Sequence, residues 1–149
     1  MLFRSFQRRA QELATRGGVP VSFDRNLIDK RNPVKHTWVE GILYREIFNP
    51  KDEVILTKIW KKRHSFMLLK GDMSIMTERG NIRIRAPYQG ITEVGTQRLI
   101  YAHEDCIFVT IHKTDKKEFD EDEWIAKDFA EIDKIEEQLN KEDDICQLH

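Results

Sequence analysis

Between positions 57 and 112 hydrophobic and polar residues recur with a period of two. Ser65, Met67 and Leu69 alternate with Phe66 and Leu68; Ile82, Ile84 and Ala86 with Arg83 and Arg85; and Phe108, Thr110 and His112 with Val109 and Ile111. Such alternation is what a strand with two differently solvated faces requires. Breaks fall at Lys70-Gly71-Asp72, Arg79-Gly80-Asn81 and Gly95-Thr96, and a further turn is expected at Asn49-Pro50-Lys51-Asp52, between strand-like runs at 36–48 and 53–60. Short strands with turn signals between them predict an all-β barrel or sandwich that ends near His112 or Lys113.

The two ends read differently. Leu2, Phe3, Phe6, Ala10 and Leu13 stand at helical spacing among Arg4, Arg8, Arg9 and Arg16, and the run stops at Gly17-Gly18. This predicts either an arm for a partner or membrane surface, or a helix packed on its own domain. Residues 18–33 read as a polar loop and 115–122 as a charged linker. From Glu123 onward Ile125, Phe129, Ile132, Ile135 and Leu139 recur at steps of three and four, with Trp124 alongside, which predicts an amphipathic helix with an acidic solvent face. Three parts are therefore expected: an N-terminal helical arm and loop at 1–33, a β-barrel at 34–114, and an acidic helix and tail at 115–149.

Composition changes this picture little. The chain has 149 residues, enough to bury a core, and a formal charge of −1, which gives no global attraction to nucleic acid or anionic lipid. Basic residues concentrate at the start and acidic ones after position 117. Two cysteines, Cys106 and Cys146, make neither a disulfide framework nor a zinc motif, and Cys106 reads as a buried thiol. The start has no signal-peptide pattern, and no run approaches the ~20 apolar residues of a membrane helix. The expected place is a reducing cytoplasm. Nucleophile elbows and phosphate-cradling glycine loops are absent from the sequence, so no catalytic residue is assigned. Lys61, Lys62 and Arg63 beside Trp60, with Arg83 and Arg85, offer phosphate contacts, but no recognition helix accompanies them and nucleic acid is disfavoured as a partner.

The order of features from Trp38 to His112 (strands, His64, Gly71, Ala86-Pro87, Gly95-Thr96, Arg98, His112) resembles the cupin superfamily of small jelly-roll barrels. In particular it is similar to the compact cupin-like proteins of tailed bacteriophages. The resemblance covers about half the chain and neither helical end. In metal-binding cupins two motifs supply histidines and one further ligand. By the same spacing the corresponding positions here are Lys58, Trp60, His64 and Arg98, of which only His64 offers a usable lone pair. The resemblance therefore implies a degenerate site with no metal and no cofactor. Lys58, Trp60, His64 and Arg98 would instead form a cationic pocket with an aromatic wall, suited to a phosphorylated or carboxylated ligand. The alternative is that Arg98 merely pairs with Glu93 or Glu78. The function expected first is a non-catalytic protein–protein interaction module of phage type, virion-associated or a connector. Its partners would be copies of itself or other phage structural proteins, and Trp124, Ile125, Phe129, Ile132 and Leu139 are the candidate contact residues. It would be made in the host cytoplasm, with the virion as a further destination. The second expectation is a phage protein that sequesters a small anion or nucleotide in the host cytoplasm.

Overall fold

A computed structural model of the protein describes residues 32–126 throughout, together with residues 5, 9, 12, 131, 133–135, 137, 138, 141 and 142. Within residues 32–126 the chain forms eleven strands and a short helix: β1 (Val34–Val39), β2 (Ile42–Asn49), β3 (Val54–Leu56), β4 (Ile59–Trp60), β5 (His64–Lys70), β6 (Asp72–Thr77), β7 (Gly80–Arg85), β8 (Tyr88–Thr92), β9 (Leu99–Ala102), β10 (Cys106–Lys113), α1 (Glu121–Trp124) and β11 (Ile125–Ala126).

The strands form a five-stranded sheet in the order β1-β2-β10-β5-β8, a four-stranded sheet in the order β3-β9-β6-β7, and the short pair β11-β4. Successive strands cross back and forth between the two larger sheets, and all the pairings are antiparallel. That wrapping is a jelly roll, the kind of fold that the resemblance to cupins implied, within the all-β class expected from the alternation. The expected closed barrel is not what forms. Among the described residues the two sheets face each other without a continuous ladder joining them.

Two runs break where their alternation gave no warning. The run 36–48 is a hairpin, because Glu40 and Gly41 adopt φ of 41° and 82°, the left-handed pair of a two-residue turn. The run 53–60 divides at Thr57 and Lys58 into β3 and β4.

The sheets enclose Phe66, Leu68, Met73, Ile75, Ile84, Ile100, Ala102, Cys106 and Phe108. Cys106 is buried there as expected, and its thiol lies 3.4 Å from the carbonyl of Asp72 and 3.2 Å from that of Glu104. Gly71 makes the β5–β6 turn at φ 102°, where an added Cβ would meet Cys106 Sγ at 2.5 Å and the Asp105 carbonyl at 2.7 Å.

The amphipathic helix expected from Glu123 does not start as predicted. α1 ends after one turn and Ile125 is extended (φ −125°, ψ 128°), because Ile125 and Ala126 pair with Trp60 and Ile59. Residues 131, 133–135, 137, 138, 141 and 142 are helical. Ile135 packs with Ile59 and Ala126, whereas Phe129, Ile132 and Leu139 lie outside the described residues. So does the N-terminal apolar stripe, although Ser5, Arg9 and Glu12 are helical and exposed. No helix among the described residues is long and apolar enough to cross a membrane.

Candidate functional site: the mouth of the jelly roll

One parity of each strand in the five-stranded sheet points inward. On β5 this gives Leu68, Phe66 and His64 in succession; on β10, Phe108, Thr110 and His112. The interior thus changes from hydrocarbon at one end to imidazole and hydroxyl at the other. The polar end is the mouth.

Four rings meet there. Trp60 lies 4.3 Å from His64 and 5.2 Å from His112 between centroids, and the two imidazoles are 4.7 Å apart. Trp124, carried in by the C-terminal segment, meets His112 edge-on at 4.4 Å. Phe119 stands 5.4 Å from His112.

His64 Nδ1 lies 3.0 Å from the carbonyl of Lys62. A carbonyl only accepts, so Nδ1 carries the proton and Nε2 holds a lone pair, which has no hydrogen-bond partner. His112 Nε2 is 2.8 Å from the Thr110 hydroxyl, and its Nδ1 is likewise unpartnered. Burial, aided by the positive charges of Arg98 and Arg45, pushes His64 down to about 4. Burial, with His64, Arg45 and His36 nearby, pushes His112 down to about 3. Both rings are neutral at physiological pH.

Arg98 is only 5% exposed. One of its terminal nitrogens, Nη2, donates to the Thr92 hydroxyl, and the guanidinium lies 4.9 Å from the Phe66 ring centre and 5.7 Å from that of Phe108. Desolvation pulls its pKa down to about 10. The expected alternative, a pair with Glu93 or Glu78, does not form: Glu93 is held by Arg63 at 3.0 Å, and no carboxylate is bonded to Arg98 among the described residues. Beside it Gln97 donates to the Thr57 carbonyl at 3.0 Å and leaves its own Oε1 unpartnered.

Of the four expected pocket residues, Trp60 and His64 are in ring contact, and Arg98 is near enough to depress His64. Lys58 is engaged elsewhere, in an ion pair with Glu121 at 2.9 Å. Lys61 pairs with Glu131 and Lys62 with Glu123, and Lys62 Nζ also lies 5.1 Å from the Trp124 ring centre. The acidic segment thus covers the basic run. Trp124 and Ile125, expected at a partner interface, are buried within their own chain at 4% and 5% exposure. Arg83 and Arg85, the other basic candidates, both bond Asp72, at 2.9 and 3.1 Å, and the Arg83 fork holds that carboxyl below its usual range.

The donor set does not suit a divalent metal. Two imidazoles stand side by side next to an arginine cation, and no group of three or more His, Cys, Asp or Glu gathers among the described residues. His112, where the barrel was expected to end, is fully buried. Its parity with Phe108 was the available signal. Thr92 ends β8 opposite His64, whereas Gln97 and Phe119 had no such signal, since a loop and the C-terminal segment bring them in.

No protein-family model matches the chain, and no curated protein sequence is similar to it. Solved structures with a related shape include KdgF from Halomonas sp., with TM-score 0.49, 10% identity, and 58% of this chain and 82% of that one covered. Another is a cupin-2 domain containing protein from Shewanella frigidimarina, with TM-score 0.46, 13% identity, and 62% and 94% covered. A third is the Cnp3 cupin domain of Schizosaccharomyces pombe, with TM-score 0.46, 16% identity, and 55% and 64% covered. At these levels the jelly-roll assignment rests on the strand order of the chain itself.

Proposed function

We propose that this chain is a non-catalytic protein–protein interaction module, and that the outer face of its five-stranded sheet joins it to a second copy. One observation carries this reading. The outward parity of the sheet bears Val39, Ile42, Leu69 and Ile91, exposed by 50%, 37%, 52% and 53%, beside the half-buried Tyr44, Phe48, Met67, Ile107 and Ile111 and the buried Val109. Antiparallel sheets with a solvated face are normally polar on that side.

Five strands at ~4.8 Å spacing and six or so residues at ~3.3 Å present roughly 500 Å² in projection. The face carries few charges, and Lys35 stands opposite Glu46. Near-neutrality favours an identical partner, because an isologous contact brings like groups together. A place in a phage particle is carried by the sequence resemblance alone.

Light scattering on the eluting full-length protein tests this. A dimer is expected, with L69E/I91E monomeric and still folded; a wild-type monomer at high micromolar concentration would overturn it.

Arg98 favours a second reading. A desolvated cation bonded to no carboxylate among the described residues, beside an unpaired imidazole nitrogen, suits a small carboxylate or phosphate entering the mouth. Thermal shift with phosphate, nucleotides, sugar phosphates and carboxylic acids should then find a ligand that Arg98→Met loses.

A further inference from the structure

The mouth is covered by a segment of the same chain whose every grip is a form of recognition between separate molecules. Residues Ile125 and Ala126 add a strand to β4, and the Lys61 amide donates to the Trp124 carbonyl at 2.7 Å. Trp124 enters the ring cluster. Glu121 and Glu123 meet Lys58 and Lys62, and the Lys61 ammonium donates to the Asp122 carbonyl at 2.7 Å. Backbone pairing, one aromatic anchor and a charge pattern together define a peptide site.

The segment is also loosely leashed. Residues 115–118 are exposed and belong to no strand or helix. The Thr114 amide donates to the Gly41 carbonyl at 2.9 Å, and after it the leash has local bonds from Lys116 to Thr114 and Asp120.

We infer that the groove along β4 is a docking site for the acidic, tryptophan-bearing segment 119–126 of a second copy, and that two copies exchange these segments reciprocally. Every contact made within one chain is available between two, so exchange costs only the opening of the leash. Four residues span at most about 14 Å. Exchanging copies therefore stand mouth to mouth, away from the outer sheet face, and the two associations are separate.

The experiment removes the sheet-face contact first, by placing all variants in the L69E/I91E background. K58E/K62E opposes its own segment with like charge, and so does E121K/E123K. In a mixed exchanged dimer both grooves regain opposite charges. A one-to-one heterodimer by native mass spectrometry is expected, favoured about tenfold or more over either homodimer. Folded variants that stay monomeric when mixed would overturn the inference. If either variant loses its β signature by circular dichroism, unmodified full-length protein decides. Copies labelled with 14N and 15N are mixed, unfolded, refolded together and treated with a carbodiimide. Lys62–Glu123 crosslinks joining light to heavy peptides support exchange; crosslinks confined to one isotope overturn it. A sheet-face dimer that fails to form changes neither outcome.

Discussion

The two ends of the jelly-roll interior are built from the same strands and filled with opposite chemistry. At the base, Leu68, Phe108 and Met73 pack together, and Gly71 leaves no room for even a methyl group beside Cys106. At the mouth, four residues from Leu68 along β5 and from Phe108 along β10, stand His64 and His112, with hydroxyls, an arginine and several unpartnered polar atoms around them. The base is closed by shape. The mouth is closed by a segment held through ion pairs and one indole. Hydrocarbon packing and polar chemistry are thus segregated along a single pair of neighbouring strands, and each end should respond to a different disturbance.

The largest effect is expected at the base. Leu68→Ala removes a fully buried side chain and should cost about 2–5 kcal/mol in urea unfolding, equally at pH 7 and pH 5. A loss that changes with pH would mean that the two ends are not independent.

Acid should act at the mouth. His64 and His112 stay neutral in the fold down to about 4 and about 3, whereas unfolded imidazoles protonate near 6.5. Below 6.5 the unfolded chain therefore binds more protons, and stability falls as pH falls. Each histidine contributes up to about 1.4 kcal/mol per pH unit, so roughly 2–4 kcal/mol should be lost between pH 6.5 and 5. His112→Gln should remove about half of that slope. A urea midpoint unchanged across the interval would refute the assignment.

The smallest effect is expected at Arg98. Arg98→Met removes a buried cation and leaves no carboxylate stranded, so stability should stay within about 1 kcal/mol of the parent, on the favourable side. A loss of several kcal/mol would make Arg98 a structural strut rather than a candidate ligand contact.

Much of this division was legible beforehand. Gly71, Gly80 and Gly95 marked their turns because glycine accepts backbone angles that other residues resist, and period-two alternation gave the strands. Trp60, His64 and Arg98 were placed together by the resemblance to the cupin motifs. Residues whose partners are distant were not legible. Ile125 continues a helical stripe in sequence yet is extended, because its neighbour is Trp60, far back along the chain. Glu40-Gly41 escaped notice because the residues around it are strand-like on both sides and only backbone angles divide them. Lys58 looked free to meet an anion until Glu121 was seen to hold it. Local pattern reports the face of an element, and it is silent on who arrives there.

The place of β10 has a consequence for how the molecule is made. It lies at the centre of the five-stranded sheet, between β2 and β5, yet it is the last of the jelly-roll strands to leave a ribosome. Until position 113 has emerged, the hairpin of β1 and β2 has no strand beside it and β5 lacks the partner on one of its two edges. Completion of the five-stranded sheet is therefore a late step, and a chain stopped before β10 presents two orphaned sheet edges, on β2 and on β5.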